Sequence, residues 1–194
     1  IKYLPLDGND QEIKRISTTF SLNKDLDEEG VIISGKLLSH NILTLYVVKG
    51  KGSLQIGPDV SSQDFDLNIE NDVHTITLFL HQQSIILQVD NKPNISIPVK
   101  CQQDRCLDLS EIRFGSDTIE DDDAKRIGIN GCLWDVYVDE KNILSMYYMK
   151  DPRISSPHTF NRCNGDKEEN EIEEPNKLTM KKVDNNENKI NKGS

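Results

Sequence analysis

Gly128-Ile129-Asn130-Gly131-Cys132-Leu133-Trp134-Asp135-Val136-Tyr137-Val138-Asp139 is the stretch on which the fold reading turns. Side chains alternate across a β-strand. A period of two therefore places Cys132, Trp134, Val136 and Val138 on one face and Leu133, Asp135 and Tyr137 on the other. The cysteine-bearing face reads as the inner one, with Trp134 as a packing residue. A glycine stands before the cysteine that opens the strand, and Cys163, the only later cysteine, lies at the edge of a polar tail. A late strand tied to the end of its domain suggests a secreted β-sandwich, and so recognition rather than chemistry.

Short strands and turn signals run through the rest of the chain. Ile1 to Leu6 reads as an edge strand, followed by the turn Asp7-Gly8-Asn9-Asp10. Ile13 to Leu22 alternates, and Val31-Ile32-Ile33 reads as a buried strand. Ile42 to Val48 and Ser53 to Ile56 flank Lys49-Gly50-Lys51-Gly52, a hairpin whose glycines supply the positive φ of its turn. His74 to Leu80, Ser84 to Val89 and Ile95 to Val99 form a second meander. Leu107 to Phe114 is a further strand, and Ile143 to Met149 is expected to follow a polar turn as another. No long segment carries a clean helical period. The pattern predicts an all-β fold, a two-sheet antiparallel β-sandwich of jelly-roll type.

Composition divides the chain in two. From Asn164 to Ser194 there are eight acids, six lysines and no aromatic residue. Such a segment buries too little apolar surface to offset its ordering entropy, so residues 164–194 are expected to be a disordered linker or tail. Residues 1–163 are the size of one domain, large enough for a single core. The chain begins at Ile1 without a secretion signal, as expected of a piece of a longer precursor. No apolar run approaches the ~20 residues that cross a bilayer, so direct membrane insertion is not expected. The net charge of −10 argues against nucleic acid, whose phosphates call for a basic footprint. Lys49 with Lys51 and Lys150 with Arg153 are local basic spots, and they read as solvated turns.

Four cysteines suit two disulfides in an oxidising compartment. The sequence allows three pairings. Cys132 with Cys163 would close a loop worth roughly 3–4 kcal/mol and leave Cys101 to pair with Cys106; four reduced thiols are the competing reading. No C-x-x-C pair supports zinc. Asn94-Ile95-Ser96 is an acceptor sequon for N-glycosylation, bracketed by Pro93 and Pro98, which mark an edge or loop.

No catalytic constellation stands out. His40, His74, His81 and His158 fall in no metal-site pattern, and there is no G-x-S-x-G elbow or phosphate-binding loop. The acidic run Glu120-Asp121-Asp122-Asp123 lacks the spacing and glycine of an EF-hand. No carboxylate pair is singled out for glycoside hydrolysis. The chain reads as a binding module and not an enzyme. A lectin or carbohydrate-processing enzyme on a jelly-roll sandwich is the alternative, and a structural spacer is the third.

These residues resemble the laminin G-like domain, over roughly Ile1 to Cys163. Ile129-Asn130-Gly131-Cys132-Leu133-Trp134-Asp135-Val136 is similar to that family's aromatic-x-Gly-Cys-aliphatic-x-Asp-Val pattern, with Ile129 in the aromatic place. Gly30-Val31-Ile32-Ile33-Ser34-Gly35, Asn41-Ile42-Leu43-Thr44-Leu45, Gln88-Val89-Asp90 and Ile112-Arg113-Phe114-Gly115 resemble its other strands in order. Ile69-Glu70-Asn71-Asp72-Val73-His74-Thr75-Ile76 is similar to its Asn-Asp-Gly-x-Trp-His-x-Val segment, with Asn71 replacing the glycine and Val73 the tryptophan. The resemblance implies a disulfide from Cys132 to Cys163. It also implies one calcium ion on the sandwich rim, held by the side chains of Asn41 and Asp108 and by carbonyls near Pro58 and Cys106. Calcium takes six to eight oxygens and favours carboxylates, so a set with one carboxylate implies low affinity. The partner implied is an extracellular protein or receptor ectodomain, with a glycan as the other candidate, met by loops on one rim. The implied location is extracellular, secreted or on the ectodomain of a membrane-anchored protein.

Overall fold

The computed structural model describes residues 1–5, 12–22, 29–38, 42–57, 61–67, 72–99, 107–116, 128–129, 131–156 and 177–180. In chain order the strands are β1 (Lys2–Tyr3), β2 (Arg15–Leu22), β3 (Glu29–Leu37), β4 (Ile42–Val48), β5 (Lys51–Ile56), β6 (Ser61–Asp66), β7 (His74–His81), β8 (Ser84–Val89), β9 (Ile95–Pro98), β10 (Leu109–Phe114) and β11 (Gly131–Val138). They are followed by β12 (Lys141–Asn142), helix α1 (Ile143–Tyr148), β13 (Ile154–Ser155) and β14 (Lys177–Met180). One sheet runs β13-β1-β10-β3-β4-β5-β6. The other runs β12-β11-β2-β7-β8-β9, with β14 also paired on β11. Among the described residues the named strands pair antiparallel, and an isolated parallel bridge joins Val31 to Gly128. The expected all-β, two-sheet sandwich is what the chain forms.

One apolar core joins the sheets. Leu43, Leu45, Leu54, Ile56, Ile112 and Phe114 come from the first sheet, and Ile16, Phe20, Ile76, Leu78, Leu87 and Val136 from the second, all essentially sealed from water. At about 25 cal/mol per Å² of apolar surface, this cluster is the main source of stability. The β4–β5 hairpin turns on Lys49 and Gly50, at φ 49° and 75°. That turn is two residues long, shorter than the expected Lys49-Gly50-Lys51-Gly52, because positive φ at both central positions already matches the twist of the strands. Gly52 lies within β5, where its missing side chain makes room for the Phe65 ring of β6.

The opening motif forms the expected strand, but its faces differ from the simple alternation. Asp135 sits at φ 52°, and the β2–β11 register slips between Trp134 and Tyr137. This β-bulge inserts one residue and reverses the phase. Leu133 is thereby buried together with Val136 and Val138, while Cys132 and Trp134 are half-buried. Trp134 therefore lies outside the core cluster that a strict period of two assigned to it. Gly131 is required by close approach: a Cβ there would lie 2.0 Å from the Ser21 carbonyl oxygen of β2.

Three further differences are local. Ile143–Tyr148, expected as a strand, is a short helix, because the Asn142 side chain caps it by accepting from the Ser145 amide at 2.9 Å. That cap and the burial of Ile143 and Leu144 outweigh the strand-like composition. The polar strand β6 carried no alternating apolar signal. Within 164–194, expected to be a tail, Lys177–Met180 forms β14 on β11; the remainder of that segment lies outside the described residues.

Candidate functional site

The connections at one end of the sandwich converge on a rim. In the first sheet, Leu109 of β10 pairs with Leu37 at the end of β3, and Leu43 of β4 pairs with Ile56 at the end of β5. Beyond these pairs the Leu38 amide donates to the Asp108 carbonyl at 2.8 Å, and the Gly57 amide donates to the Ile42 carbonyl at 2.7 Å. In the second sheet the same end carries the β7–β8 turn and the entry to β2, tied where the Leu80 amide donates to the Lys14 carbonyl at 2.9 Å. Backbone groups that pair this way keep loop ends in fixed register.

A cavity of about 260 Å³ opens between the two sheets at this rim. Its floor is apolar: Ile13, Leu80 and Leu107 are buried. Its walls are polar, formed by Glu12, His81, Gln82 and the half-buried Asp108. Leu38, hydrogen-bonded to Asp108, leaves 54% of its surface exposed. An apolar floor under convergent polar groups can seat a side chain and then orient it.

Of the residues singled out from the sequence, Asp108 stands in this cavity wall. Asn41, Pro58 and Cys106 lie outside the described residues, as do Cys101 and Cys163. Their described neighbours, Ile42, Gly57 and Leu107, stand at the same end of the first sheet as Asp108. Among the described residues no three His, Cys, Asp or Glu side chains are grouped to hold a metal ion. The oxygen chemistry of Asp108, at a rim built from strand ends, is compatible with calcium. Glu12, His81, Gln82 and Leu38 were not legible as site residues, since they come from separate strand ends and share no motif.

Cys132 is disulfide-bonded, with its partner outside the described residues. Asn94 is exposed just before β9, so its amide is accessible. His74 and Asp90, both within segments that resemble family strands, meet: His74 Nδ1 lies 3.0 Å from Asp90 Oδ2, while the Thr75 amide donates to Asp90 Oδ1 at 2.8 Å. His74 is buried beside the Phe20 ring, so this contact braces the β7–β8 end. A second concavity beside α1 is lined by Tyr147, Tyr148, Lys150 and Asp151. Arg153 is not available there as the partner of Lys150 in a basic pair. Its guanidinium donates to both Asp151 oxygens, at 2.8 and 2.6 Å. Those hydrogen bonds, with one from the Arg153 amide, hold the Asp151 carboxyl at about 2.

The fold is that of laminin G-like domains. The two domains LG4-5 of the mouse laminin alpha1 chain superpose with a TM-score of 0.51 at 16% identity, over 72% of this chain and 39% of that one. The LG1-3 region of the laminin alpha2 chain gives 0.50 at 11% identity, over 73% of this chain and 25% of that one. The chain thus spans less than half the length of either of these two structures. No protein-family model and no curated protein matches it by sequence. No helix among the described residues is long and apolar enough to cross a membrane.

Proposed function

We propose that this chain, a divergent sandwich of the laminin G-like fold, is a non-catalytic extracellular recognition module that binds a protein partner through the rim holding Asp108. The carrying observation is the cavity between the sheets, with polar walls from Glu12, His81, Gln82 and Asp108, and with the exposed Leu38 hydrogen-bonded through its amide to the Asp108 carbonyl. A partner side chain entering it would bury apolar surface on Ile13, Leu80 and Leu107 and meet polar groups at the mouth. Such central anchors carry most of the affinity in protein interfaces.

Calcium is part of this reading. The side chains of Asn41 and Asp108 and the carbonyls of Pro58 and Cys106 form the ligand set, and a bound ion would stiffen the loops beside the cavity. With one carboxylate the affinity is weak, at the ~10⁻⁴–10⁻³ M end typical of extracellular modules. Cys132–Cys163 and Cys101–Cys106 are the disulfides we assign, and Asn94 carries a glycan. All three belong to a secreted or ectodomain setting.

Two measurements test the proposal. Calorimetric titration with calcium is expected to give a heat that Asn41→Ala and Asp108→Ala each abolish; an unchanged heat in both variants removes the metal. Binding of the labelled chain to cells or matrix proteins is expected to fall at least tenfold in Leu38→Asp. Equal binding by that variant would place recognition elsewhere. Peptide mapping of unreduced protein checks the cysteine pairs.

A further inference from the structure

The outer edge of β11 is closed by a strand from much later in the chain. Lys177–Met180 pairs antiparallel with Gly131–Trp134, setting Leu178 opposite Leu133 and Lys177 opposite Trp134. β12 continues along the same edge at Tyr137 and Val138. β14 is four residues long and is joined to Ser156 through the segment 157–176. A short edge strand held by its ladder opens far more readily than the sandwich beneath it. Once open, the row of backbone donors and acceptors on β11 is a template for another strand.

We propose that the Gly131–Trp134 edge of β11 is a strand-accepting site, occupied within the chain by Lys177–Met180, and that its external ligand is an extended basic peptide segment of a partner protein. Two observations define that ligand. Leu133 is buried, so the position opposite it is the place for an apolar residue, as Leu178 is in the resident strand. Charge supplies the other criterion. Lys177-Leu178-Thr179-Met180-Lys181-Lys182 holds three lysines and no acid within a chain of net charge −10. The edge it covers ends at the exposed Asp135 of the bulge. Charge complementarity thus favours a basic strand over an acidic one. The tether gives the resident strand a high effective concentration, so an outside peptide gains access only when β14 lifts. This edge begins where β11 meets the end of β2 at Leu22, away from the Asp108 rim, and the inference does not rest on the rim reading.

The test uses the full chain with Leu178→Pro and Thr179→Pro together, which removes a ladder donor and blocks pairing. The probe is a fluorescent synthetic peptide of residues 175–184. Hydrogen exchange at those Gly131–Trp134 amides that face β14 and not β2 is expected to accelerate at least tenfold in the variant. The variant is expected to bind the peptide at least tenfold more tightly than the unmodified chain, with a scrambled peptide failing to compete. Adding Asp108→Ala should leave this binding unchanged, which separates it from the rim. Unchanged exchange, equal binding by both chains, equal competition by the scrambled peptide, or no binding by a variant with open amides would each overturn the proposal.

Discussion

Asp139 and Arg15 hold each other reciprocally: Asp139 Oδ1 accepts from the Arg15 amide at 2.9 Å, and the Asp139 amide donates to the Arg15 carbonyl at 2.8 Å. The same carboxylate oxygen accepts from the Lys14 amide at 2.9 Å. Asp139 also stands at φ 52°, a conformation that Asp tolerates better than most residues. The exit of β11 is thus pinned to the entry of β2, beside Glu12 and Ile13 of the rim cavity.

Asp139→Ala removes two hydrogen bonds to a charged acceptor and leaves a side chain poorly suited to positive φ. The expected loss is about 1–3 kcal/mol in urea denaturation, with Asp139→Asn losing less. A loss no larger than that of a neutral surface substitution would show that the clamp does not hold the rim.

Gly131→Ala should be among the most damaging single-methyl additions. Its Cβ would meet the Ser21 carbonyl oxygen at 2.0 Å, and that oxygen belongs to a paired strand with little freedom to move. The expected cost is on the order of 3 kcal/mol, read as a drop in melting temperature. Gly128→Ala, 2.7 Å from the Gly115 oxygen, should cost less.

Glu111 sets part of the acid sensitivity. Burial by itself raises its carboxyl, but hydrogen bonds from Lys2 and Arg113, with their charges, outweigh burial and hold it below its ordinary 4.5. A depressed folded value means that the stabilisation is present above pH 4.5 and is lost as pH falls through the folded value beneath it. Glu111→Gln should therefore flatten the fall of the urea midpoint below pH 4.5. An identical fall in both chains would assign acid sensitivity to other carboxylates.

Leu38→Asp separates recognition from stability. Leu38 is 54% exposed and outside the core cluster, so the change should shift stability by no more than about 0.5 kcal/mol in a thermal melt while removing partner binding. Lost binding with intact melting is the result the rim reading requires.

The sandwich was legible in the chain because its signals are local. Alternation marked β2 and β11, and the glycines of Lys49-Gly50-Lys51-Gly52 marked a hairpin through the positive φ they adopt easily, with the turn itself falling on Lys49 and Gly50. Gly131 and Cys132 stood out as a motif, and the close approach of Ser21 explains the glycine. Asp108 was reachable only through resemblance to a known domain, and the cavity it lines was not reachable at all.

Everything that depends on which strand lies beside which waited for the folded chain. The bulge at Asp135 moved Leu133 inward and Trp134 out of the core, since register against β2 overrides a strict period of two. The Asn142 cap turned a strand-like run into α1. Glu12, His81 and Asp108 meet because three strand ends reach one rim, and Lys177–Met180 pairs with β11 although it lies far later in the chain. Periodicity and turn chemistry act between neighbours in sequence. Cavities and sheet edges are made by residues far apart in the chain, and only packing brings those together.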